Sequence, residues 1–328
     1  MNEIASIADI ATNANPGPLG EGCIDLQVNG YAGFDFNGSQ LSESQLIELS
    51  QRLTSDKIAG ILATVITAPL DDMLERISTI ANAIDKHPIV AQRIWGLHVE
   101  GPFISPEPGY VGAHPVASVR TADVDVCQRF LDAAQGHIRL WTLAPEMDPA
   151  SQVTKKLAEH GVRIAAGHSN ATLDELYRGI DAGLSLYTHL GNGCPALLPR
   201  HDNIVQRVLH LSDQISISLI ADQHHIPLFA LSNYLRCIPP ERVIVVSDCI
   251  SAAGLGPGQY PLGDQIVNVD QDLAAWCEDR THFAGSATTL PQMRAIMSEK
   301  LALSHAAIDR FTRLNPARYL GITTTSGH

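Results

Sequence analysis

The sequence predicts an α/β fold of one particular kind, a (β/α)8 TIM-type barrel. Eight short apolar runs alternate with segments of helical periodicity along 328 residues, and such alternation points to a parallel sheet. Four of these runs also end on a residue able to hold a metal or move a proton. In a barrel, the C-terminal ends of the strands meet on one face, where active sites sit. The competing fold, a doubly wound open sheet, expects a G-x-G-x-x-G turn after its first strand, and the sequence has none.

Residues 1–21 include Asn13-Ala14-Asn15-Pro16-Gly17-Pro18 and read as a tail ahead of the barrel. CIDLQVN (23–29) is the first strand, followed by a Gly-rich turn. Helix-spaced Leu and Ile over 42–57 lead to the β-branched second strand, GILATVIT (60–67). A helix over 71–86 precedes the third strand, IWGLHV, which runs into Glu100. A helix over 123–134, a strand over 137–143 and a helix over 149–160 lead to the fifth strand, VRIAAG, which runs into His168. A helix over 173–182 precedes the sixth, LSLYT, which runs into His189. After a loop and a short helix come the seventh strand, QISISLIA (214–221), and a helix over 227–236. The eighth strand, VIVVS, runs into Asp248. Residues 251–282 are richer in Gly, Pro and Asp and read as an irregular or hairpin excursion. Helices over 287–303 and 305–313 close the chain, with a last short one at Asn315-Pro316-Ala317-Arg318. No internal repeat interrupts this order, so 22–321 reads as one domain and 322–328 as a tail.

The formal charge of -13 argues against a nucleic-acid or anionic-membrane partner, since both require a basic footprint. An anionic substrate would depend on local positive groups. The six cysteines form no C-x-x-C pair, and the N-terminus lacks both a basic region and a long apolar stretch. Reduced thiols and a cytoplasmic location are therefore expected.

Each strand end has a bland reading beside its chemical one. Glu100 is costly to bury unless paired or metal-bound, and a salt bridge at the rim would serve as well. His168 and His189 could each be hydrogen-bonded core residues. Together with Glu100 they make a three-ligand set that leaves a metal position open for water. Asp248 could cap a turn, or act as a general base beside that water. His114, Arg200, His224 and His225 lie in loops at the same face and could supply local positive charge.

These motifs resemble the N-acetylglucosamine-6-phosphate deacetylases of the amidohydrolase superfamily. Leu97-His98-Val99-Glu100-Gly101-Pro102-Phe103, Gly112-Ala113-His114-Pro115, Ala166-Gly167-His168-Ser169-Asn170-Ala171-Thr172 and Thr188-His189-Leu190 follow one another in the family's order. Val246-Ser247-Asp248, Ala284-Gly285-Ser286-Ala287 and Asn315-Pro316-Ala317-Arg318 continue it, and the likeness covers roughly 22–321. The resemblance implies a barrel of the metal-dependent hydrolase kind that removes acetate from N-acetylglucosamine 6-phosphate in amino-sugar catabolism. Glu100, His168 and His189 would hold one divalent metal, zinc by preference, with iron or manganese possible. Asp248 would be the acid/base, and His114 would contact the reacting carbonyl or sugar. Asn192, Gly193 and His225 would meet the phosphate, and Arg200 would reach it from a neighbouring subunit of a homodimer.

The sequence departs from the family in three places. Gln27-Val28-Asn29 stands where many amidohydrolases carry a His-x-His metal pair, so one essential metal is expected. Asn192-Gly193-Cys194 replaces Asn-Ala-Met. The first strand begins near Cys23, so the family's small β-sandwich domain is expected to be missing. An amidohydrolase acting on another N-acyl substrate, or a non-catalytic sugar-phosphate-binding protein, are the alternatives.

Overall fold

The computed structural model of the chain describes residues 22–39 and 41–322. The tail predicted over 1–21, and all but the first residue of that over 322–328, lie outside them. Eight parallel strands stand side by side in chain order: β1 (Cys23–Val28), β2 (Ile58–Ile66), β3 (Ile94–Glu100), β4 (Ile138–Leu143), β5 (Arg163–Ala166), β6 (Leu184–Tyr187), β7 (Ser216–Ile220) and β8 (Val243–Val246). The ring closes where β8 returns to β1. There the Asp248 N–H donates to the Gln27 carbonyl at 3.0 Å, the Asn29 N–H to that of Cys249 at 2.7 Å, and Val28 bridges Cys249. Nearly every strand residue is buried, as expected when helices cover the outside and side chains fill the inside.

The helices around this wall begin where a side chain can satisfy their first N–H groups. In α1 (Glu43–Ser55) Ser42 and Gln45 cap each other reciprocally, and Thr172 and Glu175 do the same for α6 (Leu173–Ala182). Between these, α2 is Leu70–Lys86, α3 Pro88–Ala91, α4 Val124–Ala134 and α5 Gln152–Glu159. The sequence places the start of α5 at 149, three residues early. The Asp148 carboxylate explains the difference, since it receives the N–H groups of Gln152 at 3.0 Å and Thr154 at 2.8 Å and opens the helix at Gln152. The remaining helices are α7 (Ile204–His210), α8 (Leu228–Cys237), α9 (Leu290–Leu301), α10 (His305–Asp309) and α11 (Asn315–Tyr319), the last two joined by a π-helical turn.

The predicted excursion after β8 is a three-stranded antiparallel sheet, β9 (Gly258–Leu262), β10 (Gln265–Val269) and β11 (Ala275–Trp276). It has a small core of its own, built on Ile250, Leu262, Val267 and Val269. No helix among the described residues is long and apolar enough to cross a membrane.

Candidate active site

Glu100 is the last residue of β3, whereas His168, His189 and Asp248 each stand two residues beyond their strands. All three of the latter adopt left-handed backbone, with φ of 51°, 33° and 51°. A non-glycine residue held there costs of order 1–3 kcal/mol and persists only where its surroundings impose it. The surroundings are visible. The Ser105 N–H donates to the His168 carbonyl at 2.9 Å, the His189 N–H to Ser218 Oγ at 2.8 Å, and the Asp248 N–H to β1. These turns swing three side chains off the wall and into the barrel mouth. Gly193 lies against the same cluster, and a Cβ there would sit 2.9 Å from His168 Nδ1.

Glu100, His168 and His189 are buried together, their ligand atoms all within 4.8 Å of one another. Glu100 Oε1 is 3.0 Å from His189 Nε2 and 3.3 Å from His168 Nε2. Burial opposes ionisation of Glu100, but the two imidazoles override it and hold the carboxyl well below the usual range. His168 Nδ1 is 2.9 Å from the Tyr110 carbonyl, which can only accept. Nδ1 therefore carries a hydrogen toward that carbonyl, which leaves Nε2 facing the Glu100 carboxylate. Two imidazole nitrogens and a carboxylate oxygen converging in a buried pocket, one ring held from behind by a backbone carbonyl, are a donor set that fits a divalent metal. His98, two residues earlier on β3, shows the contrast. It is buried too, yet its ring nitrogens lie at 3.2 Å from the Thr64 hydroxyl and 2.8 Å from that of Thr142.

Asp248 is half-buried, its carboxylate open to the cleft. Burial, and then the charge of Glu100, push it up to about 6, against the pull of His189, His225 and the Asn29 amide. Gln27 joins the two carboxylates: its Nε2 donates to Glu100 Oε1 at 3.1 Å and to Asp248 Oδ1 at 3.0 Å, while its Oε1 accepts from Thr188 at 2.8 Å. Asn29 Nδ2 donates to Asp248 Oδ1 at 2.8 Å. In the sequence Gln27 and Asn29 register only as missing ligands. In the fold they aim the acid/base candidate.

The four strand ends open into a cleft of ≈ 600 Å³, large enough for a small phosphorylated sugar. His114, Asn192, Gly193 and His225 also line it. The His114 ring packs edge-on against His168 at 4.4 Å, and burial, then the neighbouring His168, push it down to about 3, so it is neutral. His225 Nδ1 pairs with Asp222 at 2.7 Å, and Ser286 donates to the same carboxylate oxygen at 3.0 Å. Burial favours neutral His225, but Asp222 outweighs it and raises the imidazole. His224 turns away and meets the Asp272 carbonyl at 2.8 Å. Arg200 is exposed and lies outside the cleft of its own chain. Trp276 and Phe283 form a wall of the cleft that is not legible in the sequence, since they lie in a stretch without clear periodicity. Among the described residues, five buried side-chain nitrogen or oxygen atoms lack a partner. Four of them are here: Asn29 Oδ1, His114 Nδ1, His189 Nδ1 and Asn192 Nδ2. Buried polar groups are rarely left unsatisfied, and such a concentration marks a place built for a ligand.

Comparison with known proteins agrees. No family model matches the chain. The N-acetylglucosamine-6-phosphate deacetylase of Bos taurus is 31% identical over 322 residues, covering 94% of this chain and 76% of that protein. This chain belongs to the N-acetylglucosamine-6-phosphate deacetylase family. An N-acetylgalactosamine-6-phosphate deacetylase of Escherichia coli O157:H7 is 29% identical over 304 residues, covering 93% of this chain and 78% of that one. In three dimensions, a mutant N-acetyl-D-glucosamine-6-phosphate deacetylase of Mycobacterium smegmatis in complex with N-acetyl-D-glucosamine-6-phosphate superposes with a TM-score of 0.83. It shares 27% identity over 92% of this chain and 77% of that one. The eight-stranded barrel is thus the fold this chain shares with structures of N-acetylglucosamine-6-phosphate deacetylases.

Proposed function

We propose that the chain hydrolyses the acetamide of N-acetylglucosamine 6-phosphate, giving glucosamine 6-phosphate and acetate. The observation that carries this reading is the buried Glu100–His168–His189 set with Asp248 held beside it by the Gln27 amide. One divalent ion would be held by those three residues. Zinc suits two imidazoles and a carboxylate, and iron or manganese fits the same donors. Such an ion supplies Lewis acidity and acidifies water. The rest falls to the protein. Asp248 takes the proton of the attacking water and returns it to the departing nitrogen. Gln27 and Asn29 fix the direction of its carboxylate. Neutral His114 has its Nδ1 free for the acetyl carbonyl or sugar, and helps stabilise charge building on the oxygen. His225, its charged form favoured by Asp222, meets the phosphate together with the Asn192 amide and the Gly193 backbone. Arg200 would reach the same phosphate from the other subunit of a homodimer.

Every proposed residue comes from a strand end or loop of the barrel. The catalytic unit is accordingly taken as 22–321, with 1–21 and 322–328 as flanking tails, and no β-sandwich residue is needed to build the site. A cytoplasmic enzyme fits this chemistry, as its substrate is an internal sugar phosphate. The Escherichia coli relative favours one second reading, in which the same hydrolysis acts on a different N-acyl amino-sugar phosphate.

Acetate release by the purified, metal-loaded chain separates these readings. N-acetylglucosamine 6-phosphate should be turned over faster than N-acetylgalactosamine 6-phosphate, and both far faster than unphosphorylated N-acetylglucosamine. The reverse order between the two phosphates would establish the second reading. Tight binding without acetate release would leave a sugar-phosphate-binding protein.

A further inference from the structure

The turn after β11 gathers three donors that the proposed reaction does not use. Cys277 is buried at the edge of the small sheet, and Asp279 and His282 stand exposed on the turn that follows. The turn is closed by the Arg280 N–H on the Cys277 carbonyl at 3.0 Å and the Cys277 N–H on the His282 carbonyl at 3.1 Å. Cys277 Sγ comes to 3.0 Å from Asp279 Oδ1 and 3.4 Å from His282 Nδ1, and all three ligand atoms lie within 4.8 Å of one another. A tetrahedral ion bonded at about 2.0–2.3 Å to N, O and S ligands holds them roughly 3.3–3.8 Å apart. The turn already has nearly that spacing.

The local hydrogen bonds favour the same reading. The sulfur accepts the His282 backbone N–H at 3.4 Å, which fixes its place beside the His282 ring. The Thr281 N–H and hydroxyl donate to Asp279 Oδ1 at 3.0 and 2.7 Å and set the direction of the carboxylate, as outer partners do around metal ligands. Thiolate, imidazole and carboxylate together form a zinc-class donor set.

We propose that Cys277, Asp279 and His282 bind a second divalent cation of the zinc class, its remaining position open to water. Its place suggests what it does. Trp276 and Phe283 flank the turn with ring centroids 4.4 Å apart, and Phe283 packs on His225 at 5.0 Å. A cation tying the turn would hold this wall of the cleft against His225.

Cobalt(II) titrated into the reduced, metal-stripped full chain tests this. A thiolate ligand gives an intense sulfur-to-cobalt charge-transfer band in the near ultraviolet. The Glu100–His168–His189 set has no sulfur and cannot produce one. The wild type should take up about two cobalt ions per chain, as two three-ligand sites require, and the band should grow with one of them. Cys277→Ser should abolish the band and the uptake of that ion. His282→Ala, at an exposed position where folding is not at stake, should weaken the band. Glu100→Gln should keep it, so the outcome is independent of the proposed catalytic metal. Absence of the band in the wild type, its survival in Cys277→Ser, or an unchanged band in His282→Ala would each overturn the proposal.

Discussion

In the proposed mechanism Asp248 moves a proton, and Gln27, which donates to its carboxylate at 3.0 Å, holds it in place. Asp248→Asn keeps an oxygen for the Gln27 and Asn29 amides but cannot take up a proton as a carboxylate does. It should lower kcat by about 10³-fold or more, within the range of lost general acid–base catalysis. Bound metal should stay near the wild-type content, because Asp248 is not among the three proposed ligands. Metal analysis alongside kinetics checks this, and loss of the ion together with activity would refute the assigned role. Gln27→Leu acts differently. It strips one donor from Glu100 and one from Asp248 and removes the nearer of two acceptors within reach of the Thr188 hydroxyl. Loss of such outer partners typically costs about 10–100-fold in metal affinity or activity. A chelator-competition titration should show that drop, and wild-type affinity would reduce Gln27 to packing.

The seam between β1 and β8 carries a buried carboxylate with a pH signature of its own. Asp25 on β1 accepts the Ser247 N–H at 3.1 Å and the Gln27 N–H at 3.3 Å. Burial outweighs these bonds and pushes the carboxyl up to about 7. In the unfolded chain it ionises near 3.8. Between these values the folded state retains a proton that the unfolded state has released, so stability falls as pH rises from about 4 to 7 and levels off above. Thermal melts should show Asp25→Asn losing less stability than wild type between pH 5 and 8, and parallel curves would count against a buried acid here. The eight strands themselves are legible in the sequence, because a strand covered on both faces is an uninterrupted apolar run and its end is a change of polarity. The left-handed turns at His168, His189 and Asp248 are not, since Asp and His enter that region only occasionally and residue type does not say at which positions. Gln27 and Asn29 were hidden for a related reason. Their meaning depends on carboxylates brought to them from β3 and β8. The walls formed by Trp276 and Phe283 come from short antiparallel pieces, too brief to show a period.

An acidic chain that handles a phosphate must concentrate positive charge locally, and one of its candidate cations does not face its own cleft. Arg200 closes the loop between β6 and α7, exposed, close to Leu197, which is 92% exposed. An arginine so placed can complete a site only in a second copy, across a two-fold dimer. If it does, Arg200→Ala removes a charge-assisted bond worth about 1.5–3 kcal/mol, and KM should rise roughly 10–100-fold with kcat little changed. A weaker KM alone would not show which subunit supplies the group. Mixing the Arg200→Ala and Asp248→Asn chains under subunit exchange does. In a heterodimer the Arg200→Ala chain keeps its own Asp248 and borrows Arg200 from its partner, so one of the two sites is whole. Random exchange makes half the dimers mixed, so activity at low substrate should recover to about a quarter of wild type. If Arg200 serves its own chain, no mixed dimer contains a whole site. The mixture would then show only the average of its parents, and the dimer reading of this loop would fail.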